Sequence, residues 1–530
     1  ALQRALSSAM SREPATCCSE ADVVVPATLG GRDVTEIGNS ARPVFNANAA
    51  IRSITFPDTL KEMSGLPLFY GCENLETITI PASVTGMNFH SVANCFIFNC
   101  PNLKTIIFKG TRAQWEAIEK EYVNLTDITK DKKALKAGDK VYSVCMDKTV
   151  ALFQIGKKKL EKGMNILGAH IDSPRMDVKQ NPLYESEEFA YLDTHYYGGI
   201  KKYQWVTLPL ALHGVVVKKD GTVITVNVGE DKNDPVFCVT DLLIHLAGEQ
   251  MEKKANKVIE GENLDVLVGS KPLEGKEKDA VKEGILEILK EKYDMTEEDF
   301  MSAEIEVVPA GHAREAGLDH SMVMSYGQDD RVCAYTSLAA MLEVEEVEKT
   351  TCCLLTDKEE IGSVGATGMQ SRFFENSVAE LMDAMGEFSE LSLRRCLANS
   401  SMLSSDVNAA YDPLFANAFE KNNASYFGRG VVFSKFTGSR GKSGSNDANA
   451  EYIARIRKMM DKNEVCFQTA ELGKVDVGGG GTIAYILSLY GMEVIDCGVA
   501  VLNMHAPWEI ISKVDLYEAY RGYIAFLKEA

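Results

Sequence analysis

Several acidic side chains and two histidines of this chain lie within a few residues of the ends of apolar runs that have the length of buried strands. They are Glu359 and Glu360 after 352–355, His170 and Asp172 after 163–169, and His505 after 494–502. Imidazole nitrogens and carboxylate oxygens, with no thiolate among them, suit zinc in a site that stays open to a substrate. The residue types therefore point to metal-assisted hydrolysis.

Three aspartates add to this set. Asp329 and Asp330 open a segment whose apolar residues recur with helical spacing, and Asp406 ends the short stretch that begins at Leu403. An aspartate at a helix start is most often an N-cap. That role accounts for one residue of the Asp329–Asp330 pair and leaves the other free to bind a metal.

The two adjacent glutamates can serve two roles in such a site. A pair of co-catalytic metals needs a bridging carboxylate, and the reaction needs a general base that is not itself a ligand. One of Glu359 and Glu360 can be the ligand and the other the base. Asp172, on the same side of a continuing strand as His170, can accept the second imidazole N–H. Taken alone, each residue has a simpler interpretation as a surface charge.

Two glycine-rich segments suggest other chemistry. Residues 438–443 look like a phosphate-binding loop, but that pattern requires glycine where this chain has Phe436, so we reject it. Residues 478–481 are four glycines without the Lys-Ser/Thr continuation. We interpret them as a place where the backbone approaches another group closely.

The elements that must position these residues form an α/β pattern after residue 138. Open α/β sheets place their chemistry at the carboxyl ends of the strands. Residues 186–317 interrupt the pattern as an insertion with its own core, with a hairpin signal around Gly221 and helical spacing over 280–292. Residues 494–502 are expected to form one continuous strand that leads to His505.

The first part of the chain consists of sequence repeats. Units that begin at Phe45, Phe69 and Ile97 match position by position, 24 and then 28 residues apart. Such periods are typical of leucine-rich solenoids, in which each unit is expected to supply one short strand, here 77–80 in the second unit. The segment resembles the leucine-rich repeats of bacterial surface proteins, with their Ile-Pro-x-Ser-Val-Thr turn and a closing Trp115. It offers either a small binding face or a packing module.

Length, charge and cysteine content narrow the classes of function. A chain of 530 residues is expected to hold roughly two to four domains, and its net charge of −20 argues against nucleic acid or an anionic membrane as a partner. No apolar run approaches the roughly 20 residues of a membrane span. The 13 cysteines follow no disulfide or zinc-ribbon pattern, which indicates a reducing, cytoplasmic compartment; the repeats raise a surface or secreted location as the alternative.

Five of these segments together resemble the motif set of the aspartyl aminopeptidase family of dinuclear metallopeptidases. They are His170-x-Asp172-Ser173-Pro174, Gln328-Asp329-Asp330-Arg331, Asp357 through Ser363, Ser405-Asp406 and Met504-His505. The resemblance extends from about residue 133 to the C-terminus and implies an α/β catalytic domain interrupted by a β-rich dimerisation domain. It also implies two zinc ions per subunit, with cobalt or manganese as alternatives, peptide substrates, and a homo-oligomer based on dimers, up to a dodecamer.

The resemblance implies a role for each candidate residue in the removal of N-terminal residues from peptides. Asp329 would bridge the metals, with His170 and Asp406 on one metal and Glu360 and His505 on the other. Glu359 would be the general base that acts on a metal-bridged water. Asp172 would orient His170.

Specificity and assembly follow less directly from the resemblance. It raises a preference for acidic N-terminal residues, for which Lys435, Arg440 and Lys442 are candidate partners; as solvated charges they would have no such role. Ala409 stands where the better-known branch has a histidine, which argues against a strict acidic preference. The repeats stand where relatives have a segment that helps assembly, so the dodecamer stays open.

The expected domains are a leucine-rich-repeat-like segment (1–120), a linker (121–136), a catalytic metallopeptidase domain (137–185 and 318–530) and an inserted dimerisation domain (186–317). The leading hypothesis is a zinc-dependent aminopeptidase. Its rival is a binding or adhesion protein in which the repeats function and the peptidase fold is a scaffold. Many converging buried charges disfavour the rival, because a scaffold has no physical need for them. A metal-dependent deacylase or carboxypeptidase is a third hypothesis.

Overall fold

The structure, a computed structural model, forms two compact units. It describes residues 21–29, 31–39, 44–46, 48–65, 68–88, 97–98, 100, 102–111, 114, 119–120, 126–130, 134–438 and 441–530. The repeat unit comprises the described residues up to Asp127 together with Asp139–Val141, and the catalytic unit comprises Ile128–Gly138 and Tyr142–Ala530. Trp115, Arg440 and parts of the expected linker lie outside the described residues.

The repeat unit is a parallel solenoid with three ladders of short strands. The first ladder is Asp22–Val24, Ser53–Thr55, Thr77–Ile80 and Thr105–Phe108; the second is Glu36–Asn39, Glu62–Gly65, Gly86–Asn88 and Glu119–Lys120; the third is Phe45–Asn46, Phe69–Tyr70 and Ile97–Phe98. The expected strand at 77–80 is confirmed. The expectation of one strand per unit was wrong, because strands of two to four residues are too short to reveal alternation in the sequence.

Equivalent apolar residues of successive turns fill the interior of the solenoid. Ile54 pairs with Ile78 in the parallel ladder, and both are fully buried. The turns are closed by side chains: the amide of Asn74 donates to the carbonyl oxygen of Ala49 in the preceding turn at 2.8 Å. The repeat unit therefore has a hydrophobic core of its own.

A central sheet in the catalytic unit positions most of the candidate residues. The buried strand Asn165–His170 runs parallel to Thr351–Thr356 on one side and to Ser401–Ser405 on the other, and Glu493–Gly498 follows in parallel. These four strands end at one edge of the sheet, as expected for an open α/β fold. Further strands of this sheet are Lys140–Cys145, Thr149–Gln154, Val431–Ser434 and Phe467–Thr469.

Helices cover the central sheet. Gln328–Glu343 and Lys513–Glu529 pack on each other and against Asn165–His170. The other helices of this part are Phe373–Ala384, Glu390–Ala398, Ala450–Lys462 and Ala484–Ser488. Among the described helices, none combines the length and the apolar character needed to cross a membrane. The ten cysteines that the structure describes carry free thiols.

The insertion is an antiparallel six-stranded sheet, referred to below as the inserted sheet. Its spatial order is Val223–Val228, Leu210–Val217, Ala303–Pro309, Arg175–Ser186, Phe189–Tyr197 and Val266–Gly269. The expected hairpin is present, with Leu212 opposite Val228, and so is the expected helix, Ala280–Tyr293. The short helix Gly248–Met251 also lies here. Because Arg175–Ser186 already belongs to this sheet, the chain enters the insertion directly after the segment that contains His170.

A separate five-stranded sheet carries His505. Its order is Arg314–Ala316, Met322–Ser325, Glu509–Ser512, Ala500–Leu502 and Asn408–Ala409. Residues 494–502 are therefore divided between two sheets, and the expectation of one continuous strand was wrong. A Cβ on Gly498, at the point of division, would lie 2.0 Å from the carbonyl oxygen of Asp406. Apolar character alone does not reveal such a change of sheet.

Candidate metal centre

The ends of the central strands and two neighbouring segments meet at one site. His170 ends its own strand, and Glu359 begins a short turn, Glu359–Ile361, after Thr351–Thr356. Asp406 directly follows Ser401–Ser405. His505 enters from the five-stranded sheet, with a positive φ of 64°.

Asp329 lies between the two histidines. Its Oδ1 is 3.1 Å from His170 Nε2, and its Oδ2 is 3.3 Å from His505 Nε2. The residue is 4% exposed. One carboxylate oxygen therefore faces each imidazole, which is the arrangement that a bridging ligand requires.

The remaining expected ligands surround this group. His170 Nε2 is 3.9 Å from Asp406 Oδ1, and His505 Nε2 is 3.6 Å from Glu360 Oε2. Two sets of ligand atoms lie within 4.8 Å of one another: His170 with Asp329 and Glu360, and His170 with Asp330 and Asp406. The structure thus brings together all five residues expected to bind metal and adds Asp330.

Main-chain carbonyl groups set the tautomers of both histidines. His170 Nδ1 donates to the carbonyl oxygen of Asp172, and His505 Nδ1 donates to the carbonyl oxygen of Gly199, each at 3.0 Å. In each ring Nε2 is therefore the nitrogen that faces the carboxylates and would bind a metal.

The carboxylate of Asp172 lies beside His170, as expected, and has further partners that were not expected. Its Oδ1 is 3.4 Å from His170 Nδ1, farther away than the carbonyl oxygen of the same residue. It accepts the backbone N–H of Glu359 at 3.0 Å and that of Glu360 at 3.1 Å. The side chain of Asp172 therefore holds the turn that carries both glutamates.

Neither Asp329 nor Asp330 caps the helix that they open. Gly327 occupies the N-cap position, and no side chain caps this helix. The backbone N–H of His170 donates to Asp330 Oδ2 at 3.3 Å instead. The N-cap interpretation of one aspartate was wrong, since the carboxylate of Asp330 accepts the N–H of His170 and that of Asp329 faces the two histidines.

The electrostatics of the site fit a divalent cation. Burial and the charge of Asp329 raise the pKa of Glu360 to about 8, and burial with the charge of Asp330 raises the pKa of Asp406. Burial acts to lower the pKa of His505, but Asp329 and Glu360 outweigh it and raise it to about 10. Glu360 Oε1 and Asp330 Oδ1 are buried without a hydrogen-bond partner. Crowded carboxylates with unpaired oxygens are stabilised by a bound cation, so this donor set fits zinc.

Glu509 is a functional candidate that sequence reasoning missed. Its Oε2 accepts the backbone N–H of Asp329 at 3.0 Å, and its Oε1 accepts that of His505 at 2.8 Å. It is 1% exposed, and burial and the charge of Asp329 raise its pKa to about 8. The available signal was a lone acidic residue in front of the apolar pair Ile510 and Ile511.

A cleft of about 570 Å³ opens over the site. Its wall includes Asp329, Glu359, Glu360, Asp406 and His505, together with Gly479, Gly480, Gly481, Thr482 and Tyr485. The close approach expected of the glycine run is confirmed, since a Cβ on Gly478 would lie 1.9 Å from the carbonyl oxygen of Leu472.

The two described candidate cations for an acidic substrate, Lys435 and Lys442, do not line this cleft. Lys435 and Lys442 both pair with Asp447. Neither contributes to the wall of the cleft, and no described residue of that wall is a lysine or an arginine. Arg440 is outside the described residues.

Known proteins match both parts of the chain. Residues 112–527 match the family model described as aminopeptidase I zinc metalloprotease (M18), and residues 22–148 match six copies of the BspA type leucine-rich repeat region. A probable M18 family aminopeptidase 1 of Clostridium acetobutylicum is 62% identical over 433 residues, which cover 82% of this chain and 92% of the relative. Its namesake in Thermotoga maritima is 48% identical over 390 residues, covering 73% and 86%.

Solved structures agree with this match. The crystal structure of aminopeptidase I from Clostridium acetobutylicum has a TM-score of 0.71 at 65% identity and covers 74% of this chain and 86% of its own. The M18 aminopeptidase from Thermotoga maritima has a TM-score of 0.75 at 46% identity and covers 77% and 90%. The chain belongs to the M18 family of zinc metalloproteases and is a zinc-dependent aminopeptidase, preceded by leucine-rich repeats of the BspA type.

Proposed function

We propose that this aminopeptidase uses two zinc ions per subunit and Glu359 as its general base. The observation that carries the proposal is the carboxylate of Asp329, which directs one oxygen towards each histidine. His170 and Asp406 complete one metal position, and Glu360 and His505 complete the other. Asp330 and Glu509 hold the ligand residues in place by accepting backbone N–H groups, Asp330 that of His170 and Glu509 those of Asp329 and His505.

The residues of the chain have separate tasks in the reaction. Two bound zinc ions would polarise the scissile carbonyl group and lower the pKa of the attacking water. Glu359 takes a proton from that water on its carboxylate and passes it to the leaving amine. Burial raises the pKa of Glu359, which makes its carboxylate a stronger base. The hydrogen bond from its backbone N–H to Asp172 fixes the turn from which it acts.

The proposal is tested with fluorogenic aminoacyl substrates. We expect release of the fluorophore, loss of release after treatment with a chelator, and recovery on addition of zinc. An N-acetylated substrate is the matched control, and a deacylase would act on it where an aminopeptidase would not. No turnover with any N-terminal residue after zinc or cobalt reconstitution would contradict the proposal.

A preference for acidic N-terminal residues has weaker support than the reaction itself. The described wall of the cleft has no cation to pair with an acidic side chain, and Lys435 and Lys442 are engaged by Asp447. Comparison of kcat/KM for aspartyl, glutamyl, leucyl and alanyl substrates measures the preference. A tenfold or greater advantage of the acidic pair, roughly 1.4 kcal/mol, would establish it.

We further infer that the chain assembles into a homo-oligomer built from dimers. A related yeast structure is described as the mApe1 dodecamer, at 21% identity. In the insertion, Leu243, Ile244 and Leu246 expose 55%, 68% and 68% of their surface, and exposed apolar clusters of this kind mark interfaces. Native mass spectrometry should give an even multiple of 58.2 kDa. A monomer at micromolar concentration would contradict the inference.

A further inference from the structure

Residues 197–199 of the insertion lie against the candidate metal centre. Tyr197 ends the strand Phe189–Tyr197 and is the antiparallel partner of Arg175. Gly198 and Gly199 follow it. The end of this strand therefore lies beside the segment around Asp172, from which the chain entered the inserted sheet.

The hydroxyl group of Tyr197 connects to the glutamate turn through one carboxylate. Tyr197 Oη donates to Asp172 Oδ2 at 2.8 Å. The same oxygen accepts the backbone N–H of Glu360, and Oδ1 accepts that of Glu359. Loss of the Tyr197 hydrogen bond would leave Asp172 free to rotate away from both N–H groups.

The ring of Tyr197 is itself held in place. The guanidinium carbon of Arg175 lies 3.9 Å from the centroid of the ring. Arg175 is fixed in turn by Asp177 at 2.7 Å and by Glu306 at 3.2 Å, so a cation stacks on the ring in a defined geometry. All these residues belong to strands of the inserted sheet.

The two glycines fit closely against the ligand candidates. A Cβ on Gly198 would lie 3.3 Å from Glu360 Oε2, and a Cβ on Gly199 would lie 3.3 Å from His505 Nδ1. Gly199 also supplies the carbonyl oxygen that orients His505. Residues 197–199 thus contact the site on the side of Glu360 and on the side of His505.

We propose that Tyr197 is a positioning residue for the general base and acts through Asp172. Its hydroxyl group holds the Asp172 carboxylate, which holds the turn Glu359–Ile361 and so the direction of the Glu359 side chain. This inference rests on the proposed role of Glu359. It makes the inserted sheet part of the machinery that aligns the base.

The test compares two substitutions that each remove one hydroxyl group from the same strand. Tyr197→Phe should lower kcat about tenfold and leave KM and zinc content unchanged, since outer hydrogen-bond partners contribute on that order to activity. Tyr196→Phe is the control, because Tyr196 is exposed on the neighbouring position of the strand; its kcat should equal that of the wild type. Zinc content is measured by elemental analysis of the purified chain.

A double substitution separates positioning of the base from a general structural effect. In the Glu359→Gln background, Tyr197→Phe should change the residual kcat by less than about twofold, because two changes on one pathway are not additive. A full tenfold loss there, loss of zinc in proportion to activity, or a wild-type kcat for Tyr197→Phe alone would overturn the positioning role. Unchanged turnover in Glu359→Gln alone would instead overturn the base assignment.

Discussion

The two adjacent glutamates differ in what surrounds their carboxylates. Glu360 Oε2 lies 3.6 Å from His505 Nε2, and Glu360 Oε1 is buried without a hydrogen-bond partner. Glu359 belongs to neither set of clustered ligand atoms among the described residues, although it lines the same cleft. A ligand and a base should therefore respond differently to the same substitution.

Substitution of each glutamate by glutamine distinguishes these roles. Glu359→Gln removes only the base, so we expect full zinc content and a kcat lower by a factor of roughly 10² to 10⁴. Glu360→Gln removes a charged ligand, so we expect loss of zinc together with activity. Zinc is measured per subunit by elemental analysis. Loss of zinc from Glu359→Gln with retention in Glu360→Gln would mean that the roles are reversed.

Asp496 is a buried carboxyl group that the proposed mechanism does not use. Burial raises its pKa from 3.8 to about 7, although Thr482 donates a hydrogen bond to it at 2.5 Å. At a pH between these two pKa values, the carboxyl group of Asp496 is protonated in the folded chain and ionised in the unfolded chain. The stability contributed by this group therefore falls as the pH rises from about 4, and the loss is complete above about pH 7.

Removal of this charge should stabilise the protein most at high pH. For Asp496→Asn we expect a gain in the free energy of unfolding that is larger at pH 8 than at pH 5, with an upper limit of roughly 4 kcal/mol at pH 8. Urea unfolding of the zinc-loaded protein at both pH values measures the difference. An equal effect at pH 5 and pH 8 would show that the carboxyl group does not titrate in this way.

At the scale of elements, the ends of the central strands could be predicted from the sequence. His170 and Asp406 follow buried parallel strands, so an apolar run followed by a polar residue indicated their common edge. The helix over 280–292 and the hairpin around Gly221 were equally readable, since each has its own local signal. The solenoid was predicted from its period, but the ladders that lack a clear alternation of residues were not.

The contacts that sequence reasoning missed each join a side chain to a backbone group far away in the chain. Glu509 accepts the N–H of Asp329, 180 positions away, and Gly199 offers its carbonyl oxygen to His505, 306 positions away. Every residue has these backbone groups, so residue type and spacing do not reveal which of them a side chain such as that of Glu509 contacts. The close packing at Gly498, where the change of sheet occurs, is missed for a related reason, because a Cβ there would meet the backbone carbonyl oxygen of Asp406.

Gly498 provides a prediction at this scale, with Gly168 as the matched control. A Cβ on Gly498 would meet the backbone oxygen of Asp406 at 2.0 Å, whereas one on Gly168 would meet the flexible end of Met402 at 2.3 Å. Gly498→Ala should therefore displace Asp406 and reduce zinc content and kcat. Gly168→Ala should retain more of both, because a methionine side chain can adjust. Equal loss in the two variants would contradict this explanation.

At the scale of the whole molecule, the repeats and the peptidase are separate compact units. The repeats bury a core of their own, which includes Ile54 and Ile78. Sequence reasoning identified both parts, because a fixed period and a set of ordered motifs extend over many residues. The domain boundaries remain a proposal.

The independence of the two cores leads to a test in the repeat unit. Ile78 is fully buried there, so Ile78→Ala should destabilise that unit by roughly 2 to 4 kcal/mol. We expect kcat and zinc content to stay at wild-type values at temperatures where the repeats remain folded. Thermal unfolding followed by calorimetry should show an earlier transition for the repeat unit. A loss of turnover at low temperature would mean that the repeats support catalysis.

The main-chain carbonyl group that orients His170 has a consequence for inherited variation. Every amino acid supplies that carbonyl group, so a codon change at residue 172 replaces the carboxylate and keeps the acceptor of His170 in place. Alleles with a changed residue 172 would therefore retain the alignment of the His170 imidazole and lose the hydrogen bonds from the side chain of residue 172 to the backbone of Glu359 and Glu360. Selection at this position would act on the base and its neighbour, while the alignment of His170 is buffered against point mutation.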